Sequence, residues 1–138
     1  MKTHRTETLV AGATFAGLGA AAAEPSSVLV VERTAMVGHE FIQACRPGNR
    51  YAVKPESDFA QSLQGELLQR NFLDGDRIHL AGLTPFLYGM ILEKKWPVLL
   101  HQEILSVSRE EGGFSVRLGT CGGEERVLCK RILDTTAE

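Results

Sequence analysis

At 138 residues the chain has the length of one domain, and 43% hydrophobic against 23% charged residues is the composition of a globular protein that can bury a core. A formal net charge of −2, with no basic stripe and no interleaved aromatics, gives no reason to expect nucleic acid, and no uninterrupted apolar run reaches the roughly 18 to 20 residues of a membrane span. Cys45, Cys121 and Cys129 form no C-x-x-C, and His4, His39, His79 and His101 show no ligand spacing. Neither a zinc site nor a redox dithiol is therefore expected, and the thiols read as the reduced cysteines of a cytoplasmic protein.

The informative stretch runs from Thr8 to Glu32. A short apolar strand, Leu9 to Ala11, is followed by Gly12-Ala13-Thr14-Phe15-Ala16-Gly17 and a run of small residues suited to a helix. Pro25 and two serines break that helix, and a second apolar strand, Val28 to Val31, ends in Glu32. Strand, glycine turn, helix, strand and acid is the order of a dinucleotide-binding βαβ unit. The unpaired N–H groups at a helix N-terminus, with the helix dipole, favour an anion such as a pyrophosphate. Gly12 supplies the sharp turn, Gly17 lets the helix pack on the strand, and Phe15 and Ala16 offer their backbones to the phosphates. Glu32 lies 20 residues after Gly12, the distance at which a carboxylate accepts hydrogen bonds from a ribose 2′-hydroxyl. An acid there repels a 2′-phosphate and disfavours NADP, an effect that Arg33 next door softens. G-x-G-x-x-G would need glycine at position 14, where Thr14 stands.

The same residues admit another reading. Lys2, His4 and Arg5 precede an alanine-rich run ending at Ala21-Ala22-Ala23, as in a secretory leader with an A-x-A cleavage site. Glu7 within the basic segment and the phosphate-turn placing of Gly12, Gly17 and Gly19 count against it. A βαβ unit that binds nothing is the remaining alternative.

Beyond Glu32 the pattern changes. The connection 33–58 has little periodicity, with turns at Gly38, Pro47, Gly48 and Pro55. Gly38, His39, Glu40 and Arg46 are its candidates for contact with a ligand, against the plainer role of a surface loop. Ser57 to Asn71 reads as a helix capped by Ser57, with Phe59, Leu63 and Leu67 on one face. Asp74-Gly75-Asp76 reads as a hairpin-like turn without the twelve-residue calcium loop pattern. Thr84-Pro85 is expected to open a helix, with Leu83, Phe86, Leu87, Met90 and Ile91 buried and Lys94 and Lys95 at its C-terminus. Short strands then follow: Val98 to Leu100, Glu103 to Arg109, Phe114 to Leu118, and Arg126 to Asp134.

Gly12 to Gly17, then Val28 to Arg33 with Val37-Gly38, resembles the N-terminal portion of FAD-dependent oxidoreductases of the two-dinucleotide-binding-domain type, in the branch that reads G-G-T-x-A-G. Ala13 and Val37 each replace a glycine of that pattern. The resemblance resumes from Leu83 to Thr136. It implies an α/β fold with a Rossmann-like parallel sheet, flanking helices and a small antiparallel β-meander, of the FAD/NAD(P)-binding type and incomplete. One FAD-binding domain, 1–138, would then carry an inserted loop at 33–58. FAD is the implied cofactor, with its ADP part on Gly12, Ala13, Thr14, Phe15, Ala16, Gly17, Glu32 and Arg33, and with Gly38 approaching it closely. His39 and Arg46 would face phosphate or flavin, and the backbone at Ile104 would meet adenine. The family's last strand ends D-A-T-G; here it ends Asp134-Thr135-Thr136-Ala137, with Ala137 at the glycine's place and Thr136 beside the cofactor.

No catalytic acid, base or nucleophile is assigned by spacing. A protein partner or a missing C-terminal region is expected to complete the active site. The alternatives are a non-catalytic nucleotide-binding subunit of a larger complex, an NAD-dependent dehydrogenase fragment, and a secreted binding domain.

Overall fold

The computed structural model describes residues 1–45, 48 and 50–136. In chain order the elements are β1 (Lys2–Ala11), α1 (Phe15–Ala23), β2 (Val28–Val31), α2 (His39–Ile42), α3 (Asp58–Gln69), β3 (Leu73–Asp74), β4 (Arg77–Ile78), α4 (Leu80–Lys94), β5 (Val98–Leu99), β6 (Glu103–Glu110), β7 (Gly113–Thr120) and β8 (Gly123–Asp134). Six strands form one sheet in the order β5-β2-β1-β8-β7-β6, and β3 and β4 form a separate antiparallel pair. β5, β2, β1 and β8 run parallel to one another, whereas β6, β7 and β8 are joined antiparallel. This is a Rossmann-type parallel sheet with flanking helices and an antiparallel meander.

Period-two alternation sorts the apolar residues of β1 and β2 onto two faces. Val10, Val28 and Val30 pack with Leu18, Leu63, Leu67, Leu83, Leu87 and Met90 from α1, α3 and α4. Leu9, Leu29 and Val31 share a second cluster with Val116, Leu118, Val127 and Cys129 from β7 and β8. The meander thus supplies the apolar cover of one face, and the helices cover the other. Burial among these side chains pushes the Cys129 thiol up from its ordinary pKa, although a hydrogen bond from the Leu9 backbone works the other way.

Several elements depart from the sequence reading. β1 begins at Lys2 rather than Leu9. Its first half is polar, so it carries no apolar alternation, yet it is held along Glu125–Cys129 of β8. The His4 Nε2 and Glu125 Oε2 atoms meet at 2.6 Å across that pairing. Lys2, His4 and Arg5, the basic residues that resemble a leader, lie in this half of β1 and are paired to β8. The meander and the returning strand, expected as separate pieces, share one strand: β8 pairs with β7 through Gly123–Cys129 and with β1 through Glu125–Asp134.

α4 starts at Leu80, directly after the β3–β4 hairpin, and Pro85 falls inside it rather than at its first turn. Proline there removes one backbone hydrogen bond. The burial of Leu83, Phe86, Leu87 and Met90, each at most 6% exposed, outweighs that loss. The connection 33–58 holds a short helix, α2, begun by Gly38 at φ 67°. Arg46, Pro47 and Ala137 lie outside the described residues. The helix expected from Ser57 is present: the Ser57 hydroxyl accepts the Ala60 N–H at 3.2 Å. Among the described residues no helix is long and apolar enough to cross a membrane.

If the meander is a structural cover, its core residues carry stability. Leu118, fully buried, should cost about 2–5 kcal/mol when changed to alanine. Leu105 is 46% exposed, and Leu105→Ala should stay within about 0.5 kcal/mol of the parent chain. Urea unfolding of the two variants checks the contrast; equal midpoints would show that the meander does not cover the sheet.

Candidate functional site

The site lies at the C-terminal ends of the parallel strands, where open α/β sheets hold their ligands. Gly12 leaves β1 at φ 102°, a conformation that L side chains rarely adopt. A Cβ on Gly12 would come within 3.0 Å of the Thr135 carbonyl carbon and the Thr136 nitrogen, so the chain after β8 presses directly on this turn. A Cβ on Gly17 would overlap the Gly12 carbonyl oxygen, and this close packing seats α1 on the turn.

Thr14 caps α1. Its hydroxyl accepts the Gly17 N–H at 3.2 Å and donates to the Thr135 carbonyl at 2.8 Å. Thr135 returns the tie: its hydroxyl lies 2.8 Å from the Gly12 carbonyl oxygen and 3.0 Å from that of Ala11. Thr14, the departure from a glycine fingerprint, is thus the N-cap that joins α1 to the end of β8.

Glu32 closes β2 and is only 3% exposed. One carboxylate oxygen accepts the Ala13 N–H at 2.9 Å. The other accepts the Thr34 N–H at 2.8 Å and the Thr34 hydroxyl at 2.9 Å. A carboxylate offers about four acceptor positions, so roughly one remains. The backbone of Glu32 is fixed as well, its N–H bonded to Leu99 and its carbonyl to the Gln102 N–H. His39 Nδ1 sits 3.9 Å from Glu32 and is buried without a hydrogen-bond partner.

Around Glu32 lies a cleft of about 300 Å³. Gly12, Glu32, Arg33, Ile104 and Thr136 are on its wall, together with His39, Thr34 and Gln102. The other sequence candidates lie off it. Ala13 is buried and donates to Glu32. Phe15 and Ala16 begin α1, with the Phe15 ring edge-on to Phe41 at 4.9 Å. Gly38 is buried, its N–H bonded to the Ala13 carbonyl at 2.8 Å, and a Cβ there would meet Leu87 at 2.9 Å and Phe15 at 3.1 Å. The smallness of Gly38 therefore serves the packing of α4 and Phe15. The Tyr88 hydroxyl bonds the Ala35 carbonyl and draws the loop after β2 toward α4.

Thr136 stands at the cleft with its hydroxyl and N–H both turned to Asp134 Oδ1, at 2.6 and 2.9 Å. These two bonds hold the Asp134 carboxyl below its usual range.

Two contributors, Thr135 and Thr34, were missing from the sequence candidates. Thr135 had a signal, since it precedes the residue matching the family's threonine. Thr34 follows the acid by two positions and had none. Glu40 was among the candidates of the connection 33–58 without an assigned partner; its Oε1 accepts the Phe15 N–H at 2.6 Å, at the N-terminus of α1, and its Oε2 is buried without a partner. No group of three or more His, Cys, Asp or Glu side chains suited to a metal occurs among the described residues.

No family model matches the chain, and no curated protein matches it in sequence. Solved structures do match in fold. Cyclohexanone monooxygenase in its closed form superposes with a TM-score of 0.68 over 99% of this chain and 26% of its own, at 16% identity. The bacillithiol disulfide reductase of Bacillus cereus gives 0.64 over 95% of this chain and 39% of its own, at 17% identity. The L-proline dehydrogenase of P. horikoshii gives 0.54 over 99% of this chain and 23% of its own, also at 17% identity. The chain spans about a quarter to two fifths of these proteins' lengths. At such identities the likeness is one of fold: a Rossmann-type parallel sheet with flanking helices and an antiparallel meander.

Glu32 should matter to the chain even without nucleotide. Glu32→Ala leaves the buried Ala13 N–H and the Thr34 N–H without their acceptor, at about 1–3 kcal/mol for each. Denaturant unfolding of the nucleotide-free variant reads that loss; unchanged stability would mean that the carboxylate does not hold the turn.

Proposed function

We propose that the chain binds the ADP part of FAD in the Glu32 cleft and forms the FAD-binding portion of a flavin-dependent oxidoreductase. The observation that carries this is the cleft itself, at the C-terminal ends of β1, β2 and β8, with a nearly saturated carboxylate that keeps about one acceptor position. The fit is good for adenosine: Glu32 can accept a ribose 2′-hydroxyl, and Ile104 and Thr136 border the same space. A 2′-phosphate would meet a buried carboxylate, which favours FAD or NAD over NADP. The start of α1, from Thr14 to Gly17, would face the pyrophosphate.

Flavin, when bound, supplies the redox chemistry; this chain's residues bind and orient. Catalytic groups would come from further polypeptide or from a partner protein, as the structures alike in fold are longer. Free thiols at Cys45, Cys121 and Cys129 suit a reducing, cytoplasmic setting. The second reading is a nucleotide-binding subunit without turnover. It is favoured by Glu40, a carboxylate at the very N-terminus the pyrophosphate would use.

The test begins with the chain purified without added cofactor, its visible spectrum, and chromatography of any nucleotide released on denaturation. FAD release is expected. Titration with ADP and 2′-deoxy-ADP then reads the ribose contact. Losing a hydrogen bond to a charged acceptor should weaken 2′-deoxy-ADP by about tenfold to a hundredfold. Binding of ADP without FAD would favour the second reading. Absence of binding by FAD, NAD and ADP alike would end both.

A further inference from the structure

The N-terminus of α1 is where a dinucleotide's diphosphate gains most, from open N–H groups and the positive end of the helix dipole. In this chain that place holds an anion of its own. Glu40 Oε1 accepts the Phe15 N–H at 2.6 Å, a short charge-assisted bond. Glu40 sits on α2, which Gly38 ties to the turn through its N–H on the Ala13 carbonyl. The carboxylate is thus delivered to the helix end by the same loop that carries the ribose acid.

Its seat is incomplete. Glu40 Oε2 is buried with no hydrogen-bond partner, and the neighbouring His39 Nδ1 is buried and unpartnered too. A buried polar atom without a partner is destabilising. Glu32, by contrast, has both oxygens bonded. Of the two acids, Glu40 is the one with something to gain by leaving. A carboxylate and a diphosphate cannot both occupy one helix end without strong like-charge repulsion.

We propose that Glu40 sets the chain's affinity for diphosphate-containing nucleotides: its carboxylate stands in for the diphosphate at the start of α1 and must vacate that place when the nucleotide binds. The inference rests on the reading of the cleft as a nucleotide site. It makes Glu40 a residue whose removal strengthens binding, where removal of a positive or hydrogen-bonding contact would weaken it.

The test is calorimetric titration of the full chain, Glu40→Gln and Glu40→Ala with ADP and with adenosine, after circular dichroism has established that each is folded. ADP should bind both variants more tightly than the parent chain, by about tenfold to a hundredfold for Glu40→Ala. Adenosine, which carries no phosphate, should bind all three alike. Glu40→Gln keeps the size of the side chain and its acceptor oxygen, so it carries the test if Glu40→Ala loosens the turn. Adenosine binding with unchanged or weaker ADP binding in the variants would overturn the inference and leave the nucleotide reading standing. Failure of both ligands on all three proteins would instead sink the nucleotide reading, and the inference with it.

Discussion

A carboxylate buried at the end of the second strand holds the site together. Glu32 accepts from Ala13 in the turn after β1 and from Thr34 in the turn after β2, while its backbone is bonded to Leu99 at the end of β5 and to Gln102 beyond it. One residue thus fixes the relative position of the chain leaving two adjacent strands. A charge so deeply buried is tolerable because it is hydrogen-bonded on both oxygens. The Gly12 turn and the Thr14 cap of α1 flank Ala13, and the Thr135 hydroxyl adds a further tie, to the Ala11 and Gly12 carbonyls.

The second constraint is the crowding of that turn. β8 ends where β1 ends, and Thr135 and Thr136 lie against Gly12. The glycine fingerprint is commonly read as room for a ligand. Here Gly12 gives room to the polypeptide after β8, and Gly17 gives it to the Gly12 carbonyl. A glycine can therefore be required by the fold at a place where a nucleotide would also need it, and a substitution at Gly12 speaks first about folding.

Much of this was legible in the sequence. Local chemistry announced β2 with its terminal acid, the Ser57 cap of α3 and the alternating strands of the meander, because each carries its own periodicity or punctuation. What escaped depended on distant partners. The polar first half of β1 has no apolar alternation and is a strand because β8 pairs with it. The start of α4 at Leu80 was masked by Thr84-Pro85, a good helix opening that packing overrode. The place of Glu40 could not be read, for nothing in Gly38-His39-Glu40 reveals that a short helix turns its acid toward Phe15.

The two acids of the site then differ in kind. Glu32 is bonded on both oxygens by donors that belong to the fold and keeps about one acceptor position, so its negative charge is largely met by fixed dipoles and costs little to keep. Glu40 is bonded through one oxygen, to a donor that any anion at the helix end would also claim. An anion that replaced Glu40 at α1 would still accept the Phe15 N–H, whereas loss of Glu32 would strip Ala13 and Thr34 of their acceptor. On the reading proposed above the work is divided: the acid after β2 shapes the cleft and stays, and the acid on α2 fills the helix end and gives way to a phosphate. A Rossmann-type fold can in this way keep its phosphate turn intact while tuning how strongly that turn takes a phosphate, through a single side chain outside the glycine fingerprint.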